Sequence, residues 1–251
     1  MYSSTERAVG RVIDKMRDNL SEPLTVDDMA RAAMFSKFHF TRVFQRVTGT
    51  SPGRFLSAIR LQEAKRLLIT TKLNVAEISL RVGYNSVGTF STRFTKSVGL
   101  SPTMYRRLGG YASRIPVQSR GPERNTIVGT ADGSVEKSIP GPIFMGLFPQ
   151  RIPEGRPVCC MVLDEPGEFF FAGVPDGSWY LLCHSVSGDL FNLHQQCVTV
   201  ASVGPIVVRG TRTFPINVRL KPASKIDPPV LLALLDSRKA AIERLETAKA
   251  A

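Results

Sequence analysis

The sequence predicts a two-domain chain, all-α at its N-terminal end and mainly β beyond. One observation behind this is a tandem repeat in the first hundred residues. Leu24-Thr25-Val26-Asp27-Asp28-Met29 returns as Leu73-Asn74-Val75-Ala76-Glu77-Ile78, and Phe40, Phe44, Gly49, Ser51 and Pro52 return as Phe90, Phe94, Gly99, Ser101 and Pro102. A second is a change of hydrophobic period after Gly109-Gly110, from helical spacing to short apolar runs between Pro, Gly and Asp turns. The third is charge. Residues 1–108 carry 18 Lys and Arg against 8 Asp and Glu, net +10, whereas residues 109–251 carry 15 against 13, net +2. The 251 residues give each domain enough chain to bury a core.

The helical elements follow in order. Val9, Val12, Ile13, Met16 and Leu20 mark a first amphipathic helix. In the first copy of the repeat Thr25 caps a helix with Asp28 at its third position, and Leu24 packs on Met29 as a hydrophobic staple. Asn74, Glu77, Leu73 and Ile78 rebuild this in the second copy. A tight turn comes next, around Met34-Phe35-Ser36 and around Gly83-Tyr84-Asn85-Ser86. Met34 stands where the second copy has glycine, which predicts a strained or wider turn. Ser51-Pro52 and Ser101-Pro102 place a capping serine before a proline at the first helical position. From Pro52 to about Thr70 one connecting helix is expected, with Phe55, Leu56, Ile59, Leu67 and Leu68 inward. Its Arg54, Arg60, Lys65 and Arg66 are left for solvent or backbone phosphate. A short helix, a turn and a second helix, stated twice, is the helix-turn-helix plan for laying a helix in a DNA major groove.

The second helix of each copy has two faces. At about 100° per residue Phe40, Val43, Phe44 and Val47 share one side, leaving Phe38, Thr41, Arg42, Gln45 and Arg46 on the other. An outward Phe beside Arg, Thr and Gln suits base edges and thymine methyls. In the second copy Phe90 and Phe94 define the inside, so Gly88, Ser91, Thr92, Thr95 and Lys96 point out. That face is small and mostly uncharged. Unequal work is expected: the first unit reads bases, and the second leans on phosphate contacts from Lys96, Arg93 and the hydroxyls.

Residues 5–108 resemble the DNA-binding domain of the AraC/XylS transcription regulators. Ile78, Gly83-Tyr84, Phe90, Arg93-Phe94, Gly99 and Ser101-Pro102-Tyr105-Arg106 fall where that family's signature places them. The resemblance implies a sequence-specific DNA-binding regulator, not an enzyme. It also implies base-contacting positions at Phe38, Thr41 and Arg42 in the first recognition helix and Val87, Gly88, Ser91 and Thr92 in the second. Val87 and Gly88 offer no polar group there, a departure from the family. The full DNA-facing set is Ser36, Lys37, Phe38, Thr41, Arg42, Gln45, Arg46, Ser86, Val87, Gly88, Thr89, Ser91, Thr92, Arg93 and Lys96. In this family the sensor usually comes first, and this chain reverses the order.

A linker is expected over 109–142, rich in Gly, Ser, Pro and Arg. From 143 to 251 the apolar runs Ile143 to Phe148, Val158 to Leu163, Phe169 to Ala172, Trp179 to Val186, Cys197 to Val200, Ile206 to Val208 and Ile216 to Leu220 argue for a β-sandwich or barrel. Gly167 to Leu181, with its Val174-Pro175-Asp176-Gly177 turn and flanking aromatics, resembles transthyretin-like, carboxypeptidase-regulatory-like sandwiches. Asp227-Pro228-Pro229 then reads as the start of a terminal helix with Leu231, Leu234, Leu235, Ile242 and Leu245 inward.

Sharper readings of this second half were set beside core packing. Cys159, Cys160, Cys183, His184, His194 and Cys197 are soft-metal or thiol chemistry, but without a Cys-x-x-Cys pair, and buried cysteine packs as a small hydrophobe. Leu182-Cys183-His184-Ser185-Val186 faintly resembles the reactive Pro-Cys-His-Arg-Val of DNA alkyltransferases, without its proline, its arginine or its helical setting. Trp179, Tyr180 and Phe169 to Phe171 suit a ligand pocket or the sandwich core. A gyrase-inhibitor-like effector domain fits the length and not the strand pattern. No cofactor or metal is expected, and with no apolar run of spanning length and no signal peptide the chain is placed in the cytoplasm. The expected partner is double-stranded DNA, bound as a monomer or homodimer. RNA polymerase and a small-molecule effector stay open, as does an architectural or adaptor protein anchored on DNA.

Overall fold

The computed structural model describes residues 4–112, 125–132, 142–187, 197–210 and 213–235. They fall into two compact units, one within Met1–Gly110 and Ser224–Ala233, the other within Tyr111–Ala223 and Leu234–Ala251.

The first unit is helical: α1 (Ser4–Asp18), α2 (Val26–Ala33), α3 (Lys37–Thr48), α4 (Pro52–Thr70), α5 (Val75–Arg81), α6 (Val87–Val98) and α7 (Pro102–Arg107). Both capping boxes form. The Asp28 amide donates to Thr25 Oγ1 at 3.2 Å while the Thr25 amide donates to Asp28 Oδ2 at 2.9 Å, and Asn74 and Glu77 repeat the exchange at 2.9 and 2.7 Å. The Thr25 hydroxyl and amide, with Arg31, hold the Asp28 carboxyl at a pKa of about 2. Ser101 caps α7, accepting from the Met104 amide, but Ser51 makes no side-chain cap bond to α4. There the fixed φ of Pro52 at the first helical position suffices.

The repeat extends into the packing. Phe40, Phe44 and Phe55 form one aromatic chain, with centroids 5.5 and 5.4 Å apart, that ties α3 to α4. Tyr84, Phe90, Phe94 and Tyr105 form its counterpart, at 5.4, 5.6 and 5.6 Å, tying α6 to α7. The first of these sits in a core with Val9, Val12, Ile13, Met16, Met29 and Ile59, against which Leu24 packs. Arg106 closes the end of α4, donating to the Leu68, Thr71 and Leu73 carbonyls.

The two turns share one hydrogen-bond pattern. In the first, the Met34 amide donates to Arg31 O and the Phe35 amide to Ala30 O; in the second, Gly83 donates to Leu80 O and Tyr84 to Ser79 O, all at 2.9 to 3.0 Å. The first turn is therefore strained, not widened: Met34 sits at φ 59°, the left-handed region, as Gly83 does at φ 83°. Asn85 adds one residue to the second turn before its capping Ser86. Because a left-handed residue with a Cβ costs about 1–2 kcal/mol, partly offset by the chain entropy of glycine, Met34→Gly is expected to stabilise the unit by about 0.5–1 kcal/mol. A urea midpoint that falls instead would show that the exposed Met34 side chain contributes more than its backbone conformation costs.

Ser224–Ala233 completes this unit and is not helical. The terminal helix expected from Asp227 is absent over 227–235, since Asp227 instead closes a turn with Ser224, its Oδ2 accepting the Ser224 amide at 2.9 Å. Two successive prolines also push the residue before each toward extended backbone. Positions 236–251, with Ile242 and Leu245, lie outside the described residues. Along the segment, Lys225 pairs with Asp14 at 2.6 Å, Ile226 packs on the α1–α3 core, and Ala233 N donates to Val98 O at 3.1 Å. Lys65 donates to the Val230 and Leu232 carbonyls at 3.1 and 3.0 Å. Gly10 of α1 lies under the Lys225 side chain, whose flexible end stands 2.8 Å from where a Cβ would be.

The second unit is β: β1 (Tyr111–Ala112), β2 (Thr126–Asp132), β3 (Ile143–Phe148), β4 (Cys160–Leu163), β5 (Gly167–Ala172), β6 (Gly177–Ser187), β7 (Cys197–Val208), β8 (Thr213–Arg219), β9 (Lys221–Pro222) and β10 (Leu234–Leu235). They form a five-stranded sheet ordered β4-β3-β6-β7-β9, a three-stranded sheet ordered β5-β2-β8 and the parallel pair β1-β10. Buried residues of the two larger sheets share one core, among them Ile127, Met145, Phe171, Leu181, Val208 and Val218. Two departures from the expected pattern stand out. Thr126–Asp132, assigned to the linker by its surroundings, is the centre of the three-stranded sheet, and its Gly129 lets the parallel β8 approach so closely that a Cβ would meet Ile216 O at 1.7 Å. The runs either side of Gly204-Pro205 form a single strand, with the interruption taken up as a register shift opposite Trp179 to Leu181.

Candidate nucleic-acid interface

The candidate site is the exposed face of α3 and α6. On α3, Ser36, Lys37, Phe38, Arg42, Gln45 and Arg46 are exposed and Thr41 is half-buried, its hydroxyl donating to Lys37 O at 2.9 Å. Phe38 is 89% exposed, which leaves its ring open to a partner. His39, which the sequence reading did not select, is exposed on the same helix, its ring edge-on to Phe35 at 4.8 Å. Its place beside Arg42 on the helical wheel was the available signal. Lys37 Nζ meets Asp27 Oδ2 of α2 at 2.8 Å, a surface pair worth at most about 1 kcal/mol and readily exchanged for a phosphate.

On α6, Ser86, Val87, Gly88, Thr89, Thr92 and Lys96 are exposed and Ser91 is half-buried. Arg93 is turned the other way. Its Nε donates to Ser57 Oγ of α4 at 3.4 Å, and it is half-buried. In the repeat Arg93 stands where α3 has Val43, which is 2% exposed, so its phase on the helix is inward. The cationic set on the exposed face is thus Lys37, Arg42 and Arg46 on α3, against Lys96 on α6.

Arg60, Lys65 and Arg66 of α4, expected to face solvent or phosphate, are used inside the unit. Arg66 makes a two-pronged pair with Glu63 at 2.8 and 2.6 Å, Lys65 holds the Ser224–Ala233 segment, and Arg60 Nη2 donates to Glu22 O at 2.8 Å. Burial holds the Arg60 guanidinium below its ordinary pKa.

In the β unit Cys183 packs in the core and Cys159 and Cys160 are half-buried. Cys183 on β6 is 3% exposed, and burial pushes its pKa up to about 12, opposite to the lowered value an alkyl acceptor or sensor requires. Burial, then the neighbouring Cys159, raises Cys160. Among the described residues no group of three His, Cys, Asp or Glu is placed to hold a metal; His194 lies outside them. Phe169 and Phe171 point into the core while Phe170 is exposed, and the Trp179 indole donates to Pro175 O at 2.9 Å, so these aromatics serve core and turn. No described helix is long and apolar enough to cross a membrane.

Two capped helix-turn-helix units joined by one helix, with an exposed basic and polar face on α3 and an exposed small, polar face carrying Lys96 on α6, define a DNA-binding module. A family model described as a helix-turn-helix domain matches residues 29–108. The transcriptional activator AarP of Providencia stuartii is 33% identical over 98 residues, covering 39% of this chain and 73% of that one. The lactose operon transcription activator of Staphylococcus xylosus is also 33% identical over 98 residues, but there the chain spans only 35% of the relative's length. Among solved structures, the DNA-binding domain of AdpA in complex with a target DNA is 31% identical, covering 40% of this chain and 90% of that one, with a TM-score of 0.39. The chain belongs to the AraC/XylS family of helix-turn-helix DNA-binding transcription regulators.

Proposed function

We propose that one chain lays α3 and α6 into successive major grooves on one DNA face, about 34 Å apart, and that the two do unequal work. The observation that carries this is the difference between their exposed faces. Phe38, Thr41, Arg42 and Gln45 on α3 offer a thymine-methyl contact and donors for base edges. On α6 the residues Val87, Gly88, Ser91 and Thr92 are small or weakly polar, beside Lys96. Base reading is assigned to Phe38, Thr41, Arg42 and Gln45; positioning on phosphates to Ser36, Lys37, Arg46, Ser86, Thr89 and Lys96. Arg93 is assigned to the α4 contact instead.

The division is tested by paired substitutions. Arg42→Ala is expected to cost about 1–3 kcal/mol on a selected duplex and to relax one base position, whereas Lys96→Ala weakens binding to all sequences alike and lowers the salt slope by about one. Equal losses on random and selected DNA for both variants would contradict the assignment. As in the activators it resembles, the direction of regulation is taken as activation, with RNA polymerase as the protein partner and the cytoplasm as the place of action. The β unit, β2 included, is read as a transthyretin-like sandwich serving as effector or interaction domain. Since one chain carries both reading units, a monomer suffices for binding.

A further inference from the structure

Arg60 stands on α4 one helical turn from Ser57, and between them these side chains touch both copies of the repeat. Arg60 Nη2 donates to Glu22 O, in the segment that leads into α2, at 2.8 Å. The same guanidinium lies under the second turn: a Cβ on Gly83 would stand 2.7 Å from its carbon and from Nη2, and 2.2 Å from Leu20 O. Ser57 Oγ meets Tyr84 Oη at 3.3 Å and accepts from Arg93 Nε of α6 at 3.4 Å. Arg60 Nε is buried with no partner among the described residues. A partly desolvated guanidinium is a costly filler, and a methionine would pack there with less penalty. What the guanidinium supplies is direction: one donor fixed on the first copy and a flat plane against the turn of the second.

We propose that Arg60, with Ser57, is a positioning residue that sets the separation of the two recognition helices, and so the spacing between the two DNA blocks the chain accepts. The proposal rests on the two-groove reading above. Its test uses the full chain and duplexes carrying the two blocks recovered by selection, at the selected spacing, with one base pair inserted between them, and with one block alone. Thermal midpoints are recorded beside the affinities. The wild-type chain is expected to lose about tenfold or more on the one-base-pair insertion, because each base pair turns and advances the second groove. Arg60→Met is expected to hold single-block affinity within about twofold while cutting the penalty for insertion at least about threefold. Ser57→Ala, the milder change, removes the Tyr84 and Arg93 leg and is expected to reduce the same ratio, which keeps the test open if Arg60→Met folds poorly. Variants with lower midpoints and affinities reduced in proportion on all three duplexes, the spacing ratio unchanged, would overturn the proposal. A wild-type chain indifferent to spacing would overturn the two-groove reading with it.

Discussion

Gly83→Ala is expected to cost about 3 kcal/mol or more of the stability of the helical unit. The left-handed backbone there, at φ 83°, charges an L residue about 1–2 kcal/mol. The added methyl would then stand 2.2 Å from the Leu20 carbonyl, a backbone atom, and 2.7 Å from the Arg60 guanidinium, so overpacking adds about 1–3 kcal/mol. Gly53→Ala is the matched control. It lies in the first turn of α4 with nothing within 4 Å of its Cβ, and is expected to be neutral or stabilising by up to about 1 kcal/mol. Denaturant midpoints of the two variants decide it. The Gly83 and Tyr84 amides hold the turn that leads into α6, so a folded Gly83→Ala chain should also drop to the affinity of a single reading helix.

Replacing Ser224–Ala233 by a Gly-Ser stretch of equal length is expected to lower the stability of the helical unit by about 3 kcal/mol, or its thermal midpoint by about 10 °C or more. The Ile226 side chain leaves the α1–α3 core, worth about 1–2 kcal/mol for a partly buried residue. Without the Ile226 and Leu232 side chains to seat it the segment lifts away, and Lys65 loses its two carbonyl acceptors, charge-assisted bonds worth about 1.5 kcal/mol or more each. The exposed Lys225–Asp14 pair adds little. An unchanged midpoint would show that residues 4–110 hold the fold alone. The segment comes after β9 in sequence and still belongs to the DNA-binding unit.

The two reading units were legible because their signals are local. Capping boxes, the Ser-Pro helix starts and the phase of Phe40, Phe44, Phe90 and Phe94 each depend on residues within a turn or two. The contact of Arg93 with Ser57 is less plainly legible, though alignment of the copies puts Arg93 at the buried Val43 position. The uses of Lys65 and Arg60 were not readable at all: their acceptors lie 165 and 38 residues away along the chain. Leu231, Leu234 and Leu235 imitate helical spacing, which hides the local Ser224–Asp227 turn and the two prolines that disfavour a helix. Thr126–Asp132 is masked by small residues, and its inward Gly129 has a reason only once β8 lies beside it.

On the reading proposed above, one chain reads two DNA blocks with unequal helices. Selection of bound sequences from a random duplex pool by the full chain, at about 150 mM salt to suppress phosphate-only binding, tests it most directly. Two enriched blocks about 10 base pairs apart, the one under α3 more sharply defined than the one under α6, are the expected result. A pool with no enriched sequence, or two blocks defined equally well, would contradict it.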